Sequence, residues 1–449
     1  MKVMRDGRRC TVEVRADGEG VVSHAGSALV ALIADKSGLT GTLSIGLAGL
    51  RERRAGHDPG RVVRDLAVML ADGGDCLADL GAVRDQDALF GSVASDSTAF
   101  RVIDQIARRP GLLDALAAAH AQAREHVWKQ AAAAPERVTI DIDATLITSH
   151  SEKEGAAGTF KGGFGFHPLM AYCDETGEAL AAILRPGNAG SNTAADQIAV
   201  VEQALEQIPV EHISDMEILV RADSAGATHD LLDFCREGRL RYSVGFELSE
   251  PVRAAILQVP DEQWVAALAS DCTPRANGQI VEITDLLDLT TWPTTSRVIV
   301  RRERAHPGAQ LSFTDYDGHR FQAILTDQAD PDIQTLELRH RQRARCEDHI
   351  RNDKDTGLRN LPFRDFEHNR VWLAIVLIAH DLLAWTQRLT LTGELARCEP
   401  KRLRYRLLHV AGRLAFHART AILHLDARWR WRDALIDAFT RARALPAPA

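Results

Sequence analysis

The order of strand-like and helix-like segments after residue 137 constrains the fold of this 449-residue chain most strongly. VTIDID (138–143) alternates apolar and polar residues, which predicts a strand with one buried face. HPLMAYCDETGEALAAILRPG (167–187) is typical of a hairpin that turns at residues 174–177. Helices and strands then alternate: a helix over about 192–208, MEILVRADS (216–224), a helix over 228–237, and RYSVGFEL (241–248). The order β-β-β-α-β-α-β predicts an α/β domain.

The part of the chain before this domain has apolar residues at helical spacing from about residue 28 to 132. Asp58-Pro59 is typical of a helix start, with Asp as the N-cap and Pro in the first turn. Two further helices are predicted, one beginning at Ser95 and one running from Leu112 towards Lys129. AAAAPER (131–137) predicts a boundary, because proline disfavours helix in the residue before it. Residues 1–25 predict a short β-rich or poorly ordered start.

The part of the chain after residue 249 changes character twice. Three strand-like pieces, QIVEITDLL, SRVIVRRER and RFQAILTD, predict a β-rich stretch over 249–326. Pro331-Asp332 is then predicted to begin one helix that runs to about Asn352, and a second helix is predicted over 364–390. The tail, residues 399–445, is predicted to be helical and basic.

Composition and length exclude several classes of protein. With 45% apolar and 26% charged residues the chain is neither mainly disordered nor fibrous, and its length suggests two to four domains. The longest clean apolar run, 371–379, is about half of a membrane span, and no apolar segment follows the basic start. Seven cysteines, an odd number without a CxxC pair, predict a reducing cytosol with no disulfide framework and no zinc site. We therefore expect a cytoplasmic protein with no membrane partner.

Charge is distributed unevenly along the chain. The net charge is −8, yet residues 401–449 carry eleven Lys and Arg against three Asp, which is a local charge of +8. A basic tail on an acidic body suits a protein that holds a polyanion with one part and concentrates carboxylates in another. A solvated helical face explains the tail equally simply.

Three acidic residues are placed where they could meet. Asp143 ends the first α/β strand, with Asp141 two residues earlier on the same face, while Asp223 ends a later strand and Glu347 lies on an arginine-rich helix. Three carboxylates in one small volume raise one another's pKa unless a cation joins them, and Mg²⁺ or Mn²⁺ prefers such oxygen ligands. Two metals there would activate a nucleophile and stabilise a leaving oxygen in phosphodiester cleavage. The alternative is that each aspartate is a turn or cap residue and that Glu347 forms solvated helical pairs with nearby arginines.

The arrangement resembles the ribonuclease-H-like catalytic domain of DDE transposases, and in particular bacterial insertion-sequence transposases with a β-rich insertion in that domain. In that group the third acid lies in a Tyr-x2-Arg-x3-Glu-x6-Lys pattern, and this chain has His340, Arg343, Glu347 and Lys354 at the same spacing. The stretches IDIDAT, ILRPGN and RADSAG resemble the insertion-sequence thirteen-eighty family. The similarity extends over about residues 28–390.

The resemblance implies a multidomain α/β protein whose ribonuclease-H-like core is interrupted by the β-rich insertion. It implies five regions: a helical end-binding region (1–133), the first core part (134–248), the insertion (249–326), the second core part (327–390) and a basic helical C-terminal region (391–449). It also implies that Asp143, Asp223 and Glu347 form a catalytic triad holding two Mg²⁺ or Mn²⁺ ions. Asp143 is preferred to Asp141 because the family pattern has a threonine two residues after the acid, as Thr145 is here.

By the same resemblance, His340, Arg343 and Lys354 would contact DNA phosphates, with His340 in place of the family's tyrosine. The implied activity is metal-dependent cleavage and strand transfer of insertion-sequence ends, as in cut-and-paste transposition. The implied partners are terminal inverted repeats, gripped by a helix-turn-helix-like unit, and target DNA, with a dimer in the DNA complex. Two alternatives stay open: a ribonuclease-H-like nuclease without strand transfer, and a decayed transposase that only binds DNA.

Overall fold

The computed structural model describes residues 2–5, 8–51, 56–131, 135–150, 152–209, 216–304, 315–316 and 318–446. Its strands are β1 Lys2–Arg5, β2 Arg8–Thr11, β3 Val21–Val22, β4 Arg137–Ala144, β5 Ile147–Thr148, β6 Ala157–Gly158, β7 Phe164–Phe166, β8 Leu169–Cys173, β9 Ala179–Ile183, β10 Glu217–Ala222, β11 Arg241–Phe246, β12 Val265–Leu268, β13 Pro274–Glu282, β14 Arg297–Arg304, β15 His319–Thr326, β16 Gly412–His417 and β17 Thr420–Leu425.

The α-helices of the described residues are α1 Ser27–Lys36, α2 Leu39–Gly46, α3 Pro59–Asp72, α4 Gly81–Arg84, α5 Asp87–Phe90, α6 Asp96–Arg108, α7 Leu112–Gln130, α8 Ala194–Glu206, α9 His229–Glu237, α10 Glu250–Gln258, α11 Ile333–Arg341, α12 Ala344–Asp353, α13 Phe366–Thr390, α14 Pro400–Leu403 and α15 Arg432–Ala444. No single helix among them is long and apolar enough to cross a membrane, although the bent pair α1 and α2 passes the same length and composition test with a 64° bend between its halves.

A mixed sheet forms the centre of the molecule, and nine strands of the described chain pair in the order β12-β13-β14-β15-β11-β10-β4-β8-β9. Strands β4, β10 and β11 run parallel, whereas β8 pairs antiparallel with both β4 and β9. The chain order β4, β8, β9, α8, β10, α9, β11 confirms the predicted alternation. A small sheet of β5, β7 and β6 lies between β4 and β8 in the sequence and was not predicted.

The two faces of the central sheet have different coverings. Val138, Ile140 and Ile142 of β4 point to the face packed by α8, α9 and α10, and all three are buried. Asp141 and Asp143 alternate with them and point to the opposite face, over which α12 lies. The period of two in VTIDID therefore places the acidic residues on the side of the sheet that α12 covers.

The helical N-terminal region is confirmed, and it is joined to the rest of the molecule through one core. Helix α3 begins as predicted, with Asp58 Oδ1 accepting the backbone N–H of Arg61 at 3.0 Å, and it ends at Gly73, where φ is 108°. Helices α1, α3, α6 and α7 pack against α13, whose apolar run is buried rather than exposed to lipid or solvent. The predicted region boundaries at 133, 248, 326 and 390 remain predictions, and this core extends across several of them.

The stretch 249–326 is rich in strands, as predicted, but it also contains α10, which was not predicted. Its last strand, β15, pairs antiparallel with β11 and so joins β12, β13 and β14 to the central sheet. The insertion therefore lengthens the existing sheet instead of forming a separate one.

Two predictions about helices are wrong. The single helix predicted from Pro331 to Asn352 is two helices, α11 and α12, separated at Gln342 and Arg343. No glycine or proline marks this break in the sequence.

The tail is not helical throughout, because β16 and β17 form a hairpin that pairs with β3. Leu414 packs inward between exposed residues, an alternating pattern that is short and therefore easily missed.

Candidate active site

Asp143 lies on β4 one residue before the strand ends, and its side chain is 18% exposed. Its Oδ1 accepts the backbone N–H of Ala144 at 2.8 Å, while Oδ2 accepts from the Arg343 guanidinium beside α12. Burial raises the pKa of Asp143 to about 6; the Arg343 guanidinium opposes this rise, and the carboxylates of Asp223 and Glu347 add to it. The ionised form of Asp143 is thus destabilised by burial and by two like charges.

Asp141 has a different role. Its carboxylate receives two hydrogen bonds at 2.6 Å from the Arg221 guanidinium, and both side chains are at most 1% exposed. Arg221 also pairs with Asp174 at 3.1 Å and donates to the carbonyl of Arg339 in α11. Since a bidentate arginine occupies both oxygens of Asp141, this side chain helps to join the sheet to α11, and Asp143 remains the candidate metal ligand on β4.

Asp223 follows β10 directly, and β10 pairs parallel with β4. The carboxyl ends of neighbouring parallel strands meet at one edge of a sheet, so Asp223 comes close to Asp143. One of its oxygens caps a short 3-10 turn by accepting the N–H of Ala225 at 3.0 Å. Its side chain is 49% exposed and lines a cavity beside α12.

Arg343 lies between the two aspartates. Its Nη1 is 3.3 Å from Asp143 Oδ2, and its Nη2 is 3.9 Å from Asp223 Oδ2. Arg343 lies at the break between α11 and α12. This break, which was not predicted, places the guanidinium between the two aspartates.

Glu347 lies on the first turn of α12 and is exposed. It lines the same cavity as Asp223 and Arg343, a space of about 590 Å³. Its charge also raises the pKa of Asp143, so the two carboxylates lie within electrostatic reach of each other. The structure therefore brings together the three acids that the sequence singled out.

The residues present fit a divalent cation. They offer carboxylate oxygens from three elements, and the guanidinium between two of them shows that a positive charge is stabilised there. The three acids are more open than two other groups in the described chain, His24–Asp72–His409 and Asp75–Cys76–Asp79, whose ligand atoms lie within 4.8 Å of one another. A metal at the acids would require Arg343 to move aside and the carboxylates to move closer together.

His340 lies near the end of α11, partly buried, and its Nδ1 is 2.9 Å from Ser243 Oγ on β11. Burial, together with the charges of Arg343, Arg221 and Arg301, lowers the pKa of His340 to about 3. The imidazole is therefore neutral at pH 7, and it lines the same cavity as Asp223 and Glu347.

Lys354 follows α12 and lies on the other side of the acids. It lines a cavity of about 410 Å³ with Thr145, Phe160 and Lys161, just beyond the end of β4. Burial lowers the pKa of Lys354, as do the nearby charges of Lys161 and Arg359. Phe160, in the loop between β6 and β7, is 73% exposed. The motif residues His340 and Lys354 thus line two different cavities beside the same acids.

Sequence reasoning missed several polar residues around this site. Arg221, Tyr172, Asp353 and His380 are all buried and hydrogen-bonded near α12. A charged residue inside an apolar strand, as Arg221 is in EILVRA, was the one local signal of a buried pair. The others are unremarkable in the sequence because their partners are distant along the chain.

Comparison with known proteins identifies the family of this chain. Residues 4–447 match the family described as Transposase DDE domain group 1. A cryo-EM structure of piggyBac transposase in a synaptic complex with hairpin DNA is similar to 85% of this chain and 79% of its own, with 11% sequence identity and a TM-score of 0.43. No curated protein sequence matches the chain. The family match extends over nearly the whole chain, and the protein therefore belongs to the DDE transposase family, group 1.

Proposed function

We propose that this transposase cleaves the ends of its own insertion sequence and joins them to target DNA in a metal-dependent, cut-and-paste reaction. One observation carries the proposal: the Arg343 guanidinium contacts both Asp143 and Asp223, and it lines one cavity with Asp223 and Glu347. This is the arrangement expected of a site in which carboxylates hold divalent cations and basic residues hold phosphates.

Each residue has a definite part in the proposed reaction. Asp143, Asp223 and Glu347 would hold two Mg²⁺ or Mn²⁺ ions, which would supply an activated nucleophile and neutralise the leaving oxygen. Arg343 would turn from the aspartates to a DNA phosphate, and Lys354 would bind the backbone at the other end of α12. His340 is neutral, so it would contact a phosphate as a hydrogen-bond donor and not as a charge.

The proposed reaction has two steps at the same acids. Water first attacks a phosphodiester at the transposon end, which breaks the bond to the 3′ oxygen and leaves a free 3′ hydroxyl. That hydroxyl then attacks a phosphodiester of the target strand, so that one bond forms as another breaks. Both steps develop negative charge on oxygens, and the cationic groups around Asp143 would stabilise that charge.

The wider assignments belong to the same proposal. The order and directions of β9, β8, β4, β10 and β11 support a ribonuclease-H-like core, and the resemblance in sequence supports the insertion-sequence thirteen-eighty family. Residues 1–133 would grip the terminal inverted repeats, and two copies of the chain would hold two ends. A nuclease without strand transfer and a DNA-binding protein that has lost its activity are the alternatives, and the intact acids favour an active enzyme.

Replacement of Glu347 by Gln tests the proposal directly. The variant keeps the shape of the side chain and loses the charge that would hold metal, so we expect normal folding and DNA binding without cleavage of an end-bearing duplex in Mg²⁺. Glu202→Gln is the matched control, because Glu202 is an exposed glutamate on α8, which packs against the other face of the sheet. Cleavage by Glu347→Gln at the wild-type rate would refute the assignment.

A DNA substrate with a labelled end and a separate target duplex distinguishes the alternatives. Transposase activity gives joined products, a simple nuclease gives only shortened ends, and a protein that merely binds gives neither.

A further inference from the structure

Three buried polar side chains contact one another at the C-terminal end of α12. Tyr172 is on β8, Asp353 is the last residue of α12, and His380 is on α13. Tyr172 and Asp353 are completely buried, and His380 is 8% exposed. Buried polar groups are costly unless they are satisfied, so their contacts indicate what the group is for.

Every polar atom in this group has a partner. Tyr172 Oη donates to Asp353 Oδ2 at 2.6 Å, and His380 Nδ1 lies 2.5 Å from Asp353 Oδ1. His380 Nε2 lies 2.8 Å from the carbonyl oxygen of Gly177, in the turn between β8 and β9. Both partners of the imidazole accept hydrogen bonds, so both ring nitrogens carry hydrogen and the ring is charged. Burial opposes that charge, but Asp353 outweighs it and raises the pKa of His380 to about 9.

The position of this group connects it to the acids. Asp353 follows Glu347 by six residues on the same helix, a distance of about 9 Å along the axis. Lys354 is the next residue, and the chain there enters a π-helical turn in which Gly357 has φ of 100°. Tyr172 pairs with Asp141 across β8 and β4, two residues before Asp143. The group therefore joins the end of α12 to the sheet that carries the first acid.

At the other end of α12, Cys346 is buried in the core, but the polar contacts are more exposed than those of Asp353. Arg343 contacts Asp143 at 3.3 Å, which is a contact that metal binding would break. Arg345 pairs with Asp174 at 3.0 Å, but its side chain is 53% exposed and gains little from the pair. When Arg343 moves, the buried contacts of Asp353 remain to fix where the helix lies.

We propose that Tyr172 and His380 are positioning residues that act through Asp353 to hold Glu347 opposite Asp143 and Asp223. The proposal rests on the proposed function, since it gives a role to Glu347 as a metal ligand. Neither Tyr172 nor His380 touches the reacting atoms.

Tyr172→Phe tests this role with little change in volume, and Tyr242→Phe is its matched control. Tyr242 is equally buried, on β11 of the same sheet, and its hydroxyl lies 2.6 Å from Ser296 Oγ on the face away from α12. The measurement is Mn²⁺ affinity of the DNA-free protein, obtained by electron paramagnetic resonance titration, together with the thermal unfolding midpoint. We expect Tyr172→Phe to weaken Mn²⁺ binding about tenfold, as loss of a supporting partner does at metal sites.

The two tyrosine variants should lower the unfolding midpoint by similar amounts, because each loses one buried hydrogen bond. Equal Mn²⁺ affinity in the two variants would overturn the positioning role. His380→Gln provides a second variant, with the same expected loss of affinity, in case Tyr172→Phe folds poorly.

Glu347→Gln, titrated in parallel, separates this inference from the proposed function. If it binds Mn²⁺ as tightly as the wild type, the metal assignment itself has failed. If it loses the ion while Tyr172→Phe keeps it, only the positioning role has failed.

Discussion

Arg343 lies where a cation is required, between two carboxylates that repel each other. At about 4 Å, a pair of opposite unit charges near a protein surface attracts with about 4 kcal/mol before the cost of desolvation, so the guanidinium stabilises the metal-free site appreciably. The same arginine is proposed to hold a DNA phosphate. Arg343 would then offset the negative charge of the acids before metal binds, and it would contact the DNA afterwards.

We expect Arg343→Met to have opposite effects on two affinities. Without the guanidinium, nothing competes with metal at Asp143 and Asp223, so Mn²⁺ should bind the DNA-free protein more tightly, by about three- to tenfold. Binding of end DNA should weaken, because a phosphate contact is lost. Titration calorimetry and fluorescence anisotropy measure the two affinities.

Arg345→Met is the matched control for metal binding, because Arg345 pairs with Asp174 and touches none of the three acids. Its Mn²⁺ affinity should equal that of the wild type. Weaker Mn²⁺ binding by Arg343→Met would show that the arginine supports the metal instead of competing with it.

Asp143 should make stability depend on pH in the metal-free protein. The pKa of Asp143 is raised from 3.8 to about 6. The stability that its neutral form gives to the folded protein is therefore fully present below pH 4 and is lost as the pH rises through 6. Asp143→Asn stays neutral, and we expect it to be more stable than the wild type at pH 8 by about 3 kcal/mol, with the difference vanishing near pH 4.

Urea unfolding at several pH values in the presence of a chelator measures this difference. Asp437→Asn, at an exposed position on α15, should show no such pH dependence. A gain that is the same at pH 4 and pH 8 would mean that the charge of Asp143 is not destabilised in the folded protein.

The three acids could be placed from the sequence because each depends on local pattern. Alternation along β4 put Asp143 on the polar face, and the ends of two parallel strands put Asp223 beside it. The choice between Asp141 and Asp143 is different, because it depends on Arg221, a partner 80 residues away that only the folded chain brings near. Asp353 escaped notice for the same reason, since Tyr172 and His380 are remote in sequence.

At the scale of elements, capping residues in the sequence predicted the starts of helices well. Asp58 and Ser95 cap helices at the positions expected, each accepting a backbone N–H three residues later. Gln342 and Arg343 carry no such signal, because their break is stabilised by tertiary contacts of His340 and Arg343. The hairpin of β16 and β17 likewise depends on pairing with β3, almost the whole chain away.

The basic C-terminal region is expected to bind DNA through its hairpin. Arg413 and Arg419 are exposed there, whereas Leu407, Leu435 and Ala438 belong to the core. Truncation of the region would therefore unfold the protein, so charge must be removed one residue at a time.

We expect Arg413→Gln combined with Arg419→Gln to reduce the dependence of DNA binding on salt. Each phosphate contact contributes about 0.9 to the slope of log affinity against log salt on duplex DNA, so the slope should fall by nearly two. Arg239→Gln combined with Arg253→Gln removes the same charge from exposed sites on the other face of the sheet and is the control. Equal slopes in the two double variants would place the hairpin away from DNA.

At the scale of the whole molecule, the sheet and the helices are less separable than five regions along the sequence suggest. β15 continues the sheet from β11, and α13 packs with helices of the first 133 residues. A sequence pattern marks where composition changes, but it does not reveal which strand a new segment will pair with. A movement of the helices in the first 133 residues would therefore be transmitted to α13, and through His380 to α12.

The active unit on DNA should be a dimer or larger, because each chain carries one set of acids while two transposon ends must be joined. We expect light scattering to show two protein chains with two ends, even if the free protein is a monomer. Mixing wild-type protein with an equal amount of Glu347→Gln tests whether both active sites are needed. Cleavage of single ends should fall to about half, and joining of both ends to about one quarter, since only pairs of active chains complete it. Joining that falls only to half, or strand transfer by one chain on one end, would contradict the dimer.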